Sequence, residues 1–143
     1  MGAHIVAIDT FIKDFIPNFQ INGWSNDWFS GYPLYYFYFP LPAIITFFFN
    51  LIFPFGVAFK IMVVMSMILV VYSIEKLMRN TPNQISIFGA TAGLFYVFTE
   101  SFTIYGGNLA STLAGQFSFA YSLAFANLSI FYLIKSKNNF RFP

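Results

Sequence analysis

Between Leu109 and Ile134 the chain runs for 26 residues without a charged side chain, and this absence of charge limits its folding more than any motif does. The stretch exceeds the about 20 residues that a helix needs to cross a hydrocarbon core. Only 8% of the 143 residues are charged and 58% are hydrophobic, against about 25% charged in an ordinary soluble domain. The sequence therefore reads as an all-α membrane protein, and bilayer thickness limits it to three or four crossings. Seven basic and five acidic residues stand singly, so no basic stripe can neutralise phosphates and nucleic acid is not an expected partner. With no cysteine and one histidine, a Cys/His metal centre is excluded and no cofactor is expected. The opening residues carry His4, Asp9, Lys13 and Asp14, where a secretory signal would have a basic start and an apolar run.

Met1 to Pro40 holds both tryptophans and three of the five acidic residues. Ile5, Ile8, Ile12 and Phe15 recur at helical spacing and Pro17 stops them, which predicts a short amphipathic helix lying on the membrane. Asn22 to Pro33 mixes turn residues with aromatics and reads as an ordered loop at headgroup level. The aromatic segment that follows is interrupted by Pro40 and Pro42 and ended by Pro54. Its length and prolines favour an interfacial or re-entrant segment; the alternative is a further crossing by Leu41 to Phe53, which would place the N-terminal region in the cytoplasm. Residues 1–54 thus form an outer region, and residues 55–143 hold about three transmembrane helices near 55–75, 84–100 and 109–134. Gly89 and Gly93 form a G-x-x-x-G pair through which a neighbouring helix can approach closely.

Lys76 and Arg79 follow one predicted span, and Lys135, Lys137 and Arg141 follow another two crossings later. Both clusters therefore face one side, which the positive-inside rule makes cytoplasmic. The expected protein is multi-pass in the cell membrane, with an extracytoplasmic N-terminal region, a cytoplasmic C-terminus and the loop Glu100 to Asn108 outside.

On that outer side Asp27 and Glu100 are the candidate general bases, set against a backbone-capping role for Asp27 and an ordinary helix-end charge for Glu100. Asp9 and Lys13 read as an i,i+4 ion pair on a surface helix, with Asp14 solvated. His4 is a candidate for contact with a phosphate or sugar. Tyr105-Gly106-Gly107-Asn108 can turn sharply and expose amides to an anionic headgroup. Gln116 and Asn127 lie inside the last predicted span and need hydrogen-bond partners, which neighbouring helices can supply. No phosphate-binding glycine loop, nucleophile elbow or zinc spacing is present.

Two longer words, DWFSGYPLYYFYFPLP and SFTIYGGNLASTLAGQFSFAYSLAFANL, resemble the 6-pyruvoyl-tetrahydropterin synthase-related membrane proteins, which look like C-type (GT-C) glycosyltransferases. The similarity covers nearly the whole chain. Met1 to His4, Gly23-Trp24, Asp27-Trp28, Gly31 and Pro33 match one family pattern, and Tyr105 to Phe117 match another, except that Gln116 stands where the family has glutamate. The resemblance implies a polytopic enzyme taking sugar from a polyprenyl-phosphate donor, with His4, Trp24, Asp27, Trp28, Tyr105, Gly106, Gly107 and Asn108 around the substrate. The family's acidic base would stand immediately before Met1. The chain is therefore expected to be a fragment of such a protein, inactive alone, its partners being the bilayer, the lipid-linked sugar and further transmembrane helices. The competing expectation is a small membrane-embedded structural or partner subunit without catalysis. A transporter segment is a weaker third, because ionisable residues are missing from the span centres.

Overall fold

The computed structural model describes residues 2–27, 30–79, 86–100 and 106–139, and these are mostly helical. The chain divides into two compact units, Met1–Val63 and Val64–Pro143. The division falls inside one continuous helix, Phe55–Arg79.

The first unit opens with α1 (Gly2–Thr10), which widens into a π turn at Phe11–Phe15 and tightens into a 3-10 turn at Ile16–Asn18. Phe19 then takes a left-handed backbone with φ 54°, and the helix ends. Spacing predicted Ile5, Ile8, Ile12 and Phe15 on one apolar face of a helix lying on the membrane. Ile8, Phe11 and Phe15 are buried, Ile12 is half-buried and Ile5 is exposed. Aromatic rings carry the larger apolar area and decide the orientation. Phe11, 0% exposed, meets Tyr35 edge-on at 5.4 Å between ring centres and Phe15 at 6.4 Å.

Residues read from sequence as a loop form a small antiparallel hairpin, β1 (Gly23–Ser25) with β2 (Tyr32–Leu34), pairing Trp24 with Pro33. Strands of three residues are too short to show a period of two. The aromatic segment yields α2 (Leu41–Asn50), which begins after Pro40 and packs against α1 and the π turn. Its ten residues rise about 15 Å, half of the roughly 30 Å hydrocarbon thickness.

α3 (Phe55–Arg79) runs from the first unit into the second. The second unit adds α4 (Ser86–Phe98) and α5 (Leu109–Ser111), which passes through a π turn at Thr112–Gln116 into α6 (Phe117–Asn139). Gly115, at φ 118°, bends the chain between α5 and α6. Two helical stretches, Phe55–Arg79 and Leu109–Ser136, are long and apolar enough to cross a membrane. The 13 residues of α4 rise only about 20 Å.

Small residues set the spacing in this unit. A methyl placed on Gly89 would stand 2.7 Å from Met78 Cβ and 3.0 Å from Glu75 Cα, and one on Gly93 would stand 3.0 Å from Val71 Cα. The G-x-x-x-G face of α4 therefore lies directly on the α3 backbone, antiparallel to it, as small residues permit. Ala120 and Ala124 of α6 enter the same core, with Val70 and Val97. Asn127 Nδ2 donates to Ser73 Oγ at 3.2 Å, joining α6 to α3. Among the described residues no buried side-chain polar atom lacks a hydrogen-bond partner.

Candidate functional site

The polar feature that tertiary structure assembles in the first unit centres on Asp27. Its Oδ2 accepts a hydrogen bond from the Thr10 hydroxyl, seventeen residues away at the end of α1, and another from Ser25 Oγ at 3.1 Å. The Asp27 amide in turn donates to Ser25 Oγ at 3.4 Å. Thr10 and Ser25 are 6% and 2% exposed, whereas Asp27 itself is exposed. A carboxylate is thus tethered on one oxygen by two nearly buried hydroxyls and remains open to the surface.

Tyr32 pairs with Ser25 across the hairpin. Partial burial, together with the negative charge of Asp27, raises the pKa of its phenol above the ordinary value. It therefore stays protonated at neutral pH and is available as a donor. Asp27 can accept hydrogen bonds and the Tyr32 phenol can donate one. Neither Thr10 nor Tyr32 was recognisable beforehand, since nothing in local spacing links Thr10 to Asp27.

Trp24 is 61% exposed. It lies between Gly23 and Ser25 in β1, and alternation directs it to the opposite face of the ribbon from Ser25. Its indole rests over Gly31, where an added Cβ would collide with the ring. The resemblance groups Trp24 with Asp27; in β1 the exposed Trp24 precedes the buried Ser25 that holds Asp27.

His4 stacks on Tyr38 with ring centres 5.6 Å apart and planes inclined by 29°. Partial burial, and secondarily the positive amino terminus, hold its pKa below the usual histidine value. Asp9 and Lys13 form the expected ion pair at 2.6 Å on an exposed surface, and Asp14 is exposed as expected. Trp28 and Tyr105 lie outside the described residues.

In the second unit Gly106, Gly107 and Asn108 are buried. Both glycines have left-handed φ values, 78° and 81°, and a side chain on either would strike Phe119 or the Tyr96 hydroxyl. The sharp turn expected at these glycines is present. Its polar groups, however, are engaged internally: the Gly106 amide donates to Ser111 Oγ at 3.3 Å, and the Gly106 carbonyl accepts from the Tyr96 hydroxyl at 3.0 Å. Asn108 Oδ1 caps α5 by accepting from the Ser111 amide at 2.8 Å, while its Nδ2 donates to the Thr99 carbonyl at 3.0 Å. This is an N-cap that also ties the end of α4 to the start of α5. Glu100 is exposed just beyond α4. Gln116 is exposed too, with its Oε1 close to Gly106.

Among the described residues no group of three or more histidine, cysteine or acidic side chains is placed to hold a metal ion. Compared with protein-family models, curated proteins and solved structures, the chain matches none.

Proposed function

We propose that this chain is embedded in a membrane and presents a polar site at the bilayer surface that handles a lipid-linked sugar, as its resemblance to GT-C-like glycosyltransferases implies. The observation that carries the reading is the exposed Asp27 carboxylate anchored by the Thr10 and Ser25 hydroxyls. In this reading Asp27 accepts a hydrogen bond from a sugar hydroxyl and Tyr32 donates one. An anchored carboxylate can also take the proton of an acceptor hydroxyl. In this reading the two long apolar helices cross the bilayer and the shorter apolar α4, packed on α3, makes the return between them, with residues 1–54 and Glu100 on the extracytoplasmic side and the basic ends of α3 and α6 in the cytoplasm. The short α2 lies in the outer leaflet.

The test is photocrosslinking in liposomes with a polyprenyl-phosphate hexose bearing a diazirine near the phosphate. We expect labelling within the hairpin at residues 23–34, falling about tenfold in Asp27→Ala, as loss of a hydrogen bond to a charged group predicts. Equal labelling by sugar-free polyprenyl phosphate, or labelling indifferent to Asp27, would overturn it. Topology has its own check: cysteines at Asn26 and Glu100 should react with an impermeant maleimide from the same side, and opposite sides would refute the arrangement.

A second reading, a non-catalytic membrane subunit, is favoured by the Gly106–Asn108 turn, whose polar groups are engaged in capping and interhelical bonds. Stable co-purification with a defined partner, without sugar-lipid labelling, would favour it over the first.

A further inference from the structure

Beside the contact of Gly89 and Gly93 with α3, side chains of α3 and α4 line a groove of about 560 Å³. Val64, Ile68 and Tyr72 of α3 and Ala90, Leu94 and Phe98 of α4 form its walls, and Glu75 closes one end. From Val64 to Glu75 the helix rises about 16 Å, which is the depth of one leaflet when the whole hydrocarbon core is about 30 Å.

Charge is confined to one end. Glu75 is bound by Arg79 at 2.7 Å, which offsets its carboxylate, and the Lys76 ammonium stands 5.1 Å from the centre of the Tyr72 ring. Tyr72 is itself part of the groove wall, so a cation sits at the mouth of an otherwise apolar channel. Glu75, Lys76 and Arg79 together leave that end with a net positive charge.

We infer that this groove is a binding site for one acyl chain of an anionic phospholipid, with the lipid phosphate against Lys76 and Arg79. An apolar channel one leaflet deep fits an acyl chain, and the basic mouth selects the headgroup, since each basic residue near the surface contributes about 1 kcal/mol toward anionic lipid. A second copy of this chain, or a foreign transmembrane helix, would fill the groove without needing a cation at its end. The inference rests on the proposed membrane placement but is independent of the sugar site.

The whole chain, purified in mild detergent, is titrated with phosphatidylglycerol and phosphatidylcholine, and bound lipid is counted by native mass spectrometry. Phosphatidylglycerol is expected to bind about fivefold more tightly, the factor one surface cation supplies. Lys76→Gln should abolish that preference. Leu94→Trp, which fills the groove, should release both lipids, while Phe95→Trp on an exposed position outside the groove should retain them. Glycerol phosphate without acyl chains should not compete. Equal binding of the two lipids, a preference surviving Lys76→Gln, lipid retained by a folded Leu94→Trp variant, or a lipid-free dimer would overturn the proposal. Helicity and melting of each variant distinguish a filled groove from an unfolded chain; if Leu94→Trp does not fold, Ile68→Trp on the facing wall serves in its place. Failure of the chain to resist alkaline carbonate extraction from vesicles would sink the membrane placement instead.

Discussion

The two units use opposite means to hold an apolar chain together. In residues 1–63 large aromatic rings meet edge to face, and a carboxylate gathers hydroxyls from a helix and a hairpin. In residues 64–143 glycine and alanine let helix backbones come close, and a few polar side chains fasten the turns. The difference teaches where specificity comes from. Rings and hydrogen bonds can define irregular backbone such as the π turn and hairpin, whereas small residues define helix separation and little else.

The contrast can be broken most forcefully at Phe11. Phe11→Ala empties a fully buried ring site and is expected to remove about 4 kcal/mol of stability, with faster hydrogen exchange confined to residues 2–50. Exchange that rises equally in α4 and α6 would mean the aromatic core is not local. Next, Gly93→Leu forces a side chain onto the Val71 backbone. It should destabilise the second unit by about 3 kcal/mol and leave the exchange of α1 unchanged; an unaltered melting curve would show that α3 and α4 are not in close contact.

Asp27→Ala removes the acceptor shared by Thr10 and Ser25, and because Thr10 keeps its bond to the Val6 carbonyl at 3.0 Å the cost is about 1 kcal/mol, whereas Asp27→Asn keeps an acceptor and should lose less than half of that. Equal losses in chemical denaturation would assign the stability to charge rather than hydrogen bonding. In the second unit Asn127→Ala removes the bond to Ser73 and should cost only about 0.6 kcal/mol, the usual worth of an interhelical bond in the bilayer setting proposed above. A loss above about 2 kcal/mol would show that polar bonds rather than small-residue packing dominate there.

The smallest expected effect is pH dependence at His4. Its pKa is depressed by folding, so the unfolded chain binds the proton more readily. Stability from the His4–Tyr38 stack is therefore present above the usual histidine range near pH 6.5 and is lost as pH falls through the folded value. Relative to the intrinsic base-catalysed exchange rate at each pH, the protection of α1 should fall slightly on acidification from about pH 7.5 to about pH 5, and His4→Phe should remove the change. Protection that rises at acid pH would reverse the assignment.

Much of the helical framework was legible beforehand. The uninterrupted apolar runs located α3 and α6, the prolines delimited α2, and Asp9 with Lys13 announced its own ion pair, because each depends on residues adjacent in sequence or one helical turn apart. The candidate site was less legible. Asp27 and Asn108 were both singled out, but their partners were not: the Thr10 hydroxyl reaches Asp27 from another element, and Thr99 meets Asn108 across a connection between helices. Trp24 was grouped with Asp27 only by the family resemblance, and its exposure beside the buried Ser25 of the same short strand could not be read from the sequence.

By itself, then, the sequence determined helix content and the regions too apolar to leave unburied, since both follow from composition and short-range periodicity. Tertiary structure alone decided that Phe11 rather than Ile12 faces inward, that Gly89 and Gly93 rest on the α3 backbone, and that a basic end closes the groove. Those outcomes depend on which surfaces meet, and contacts between distant residues form only once loop closure has brought them together.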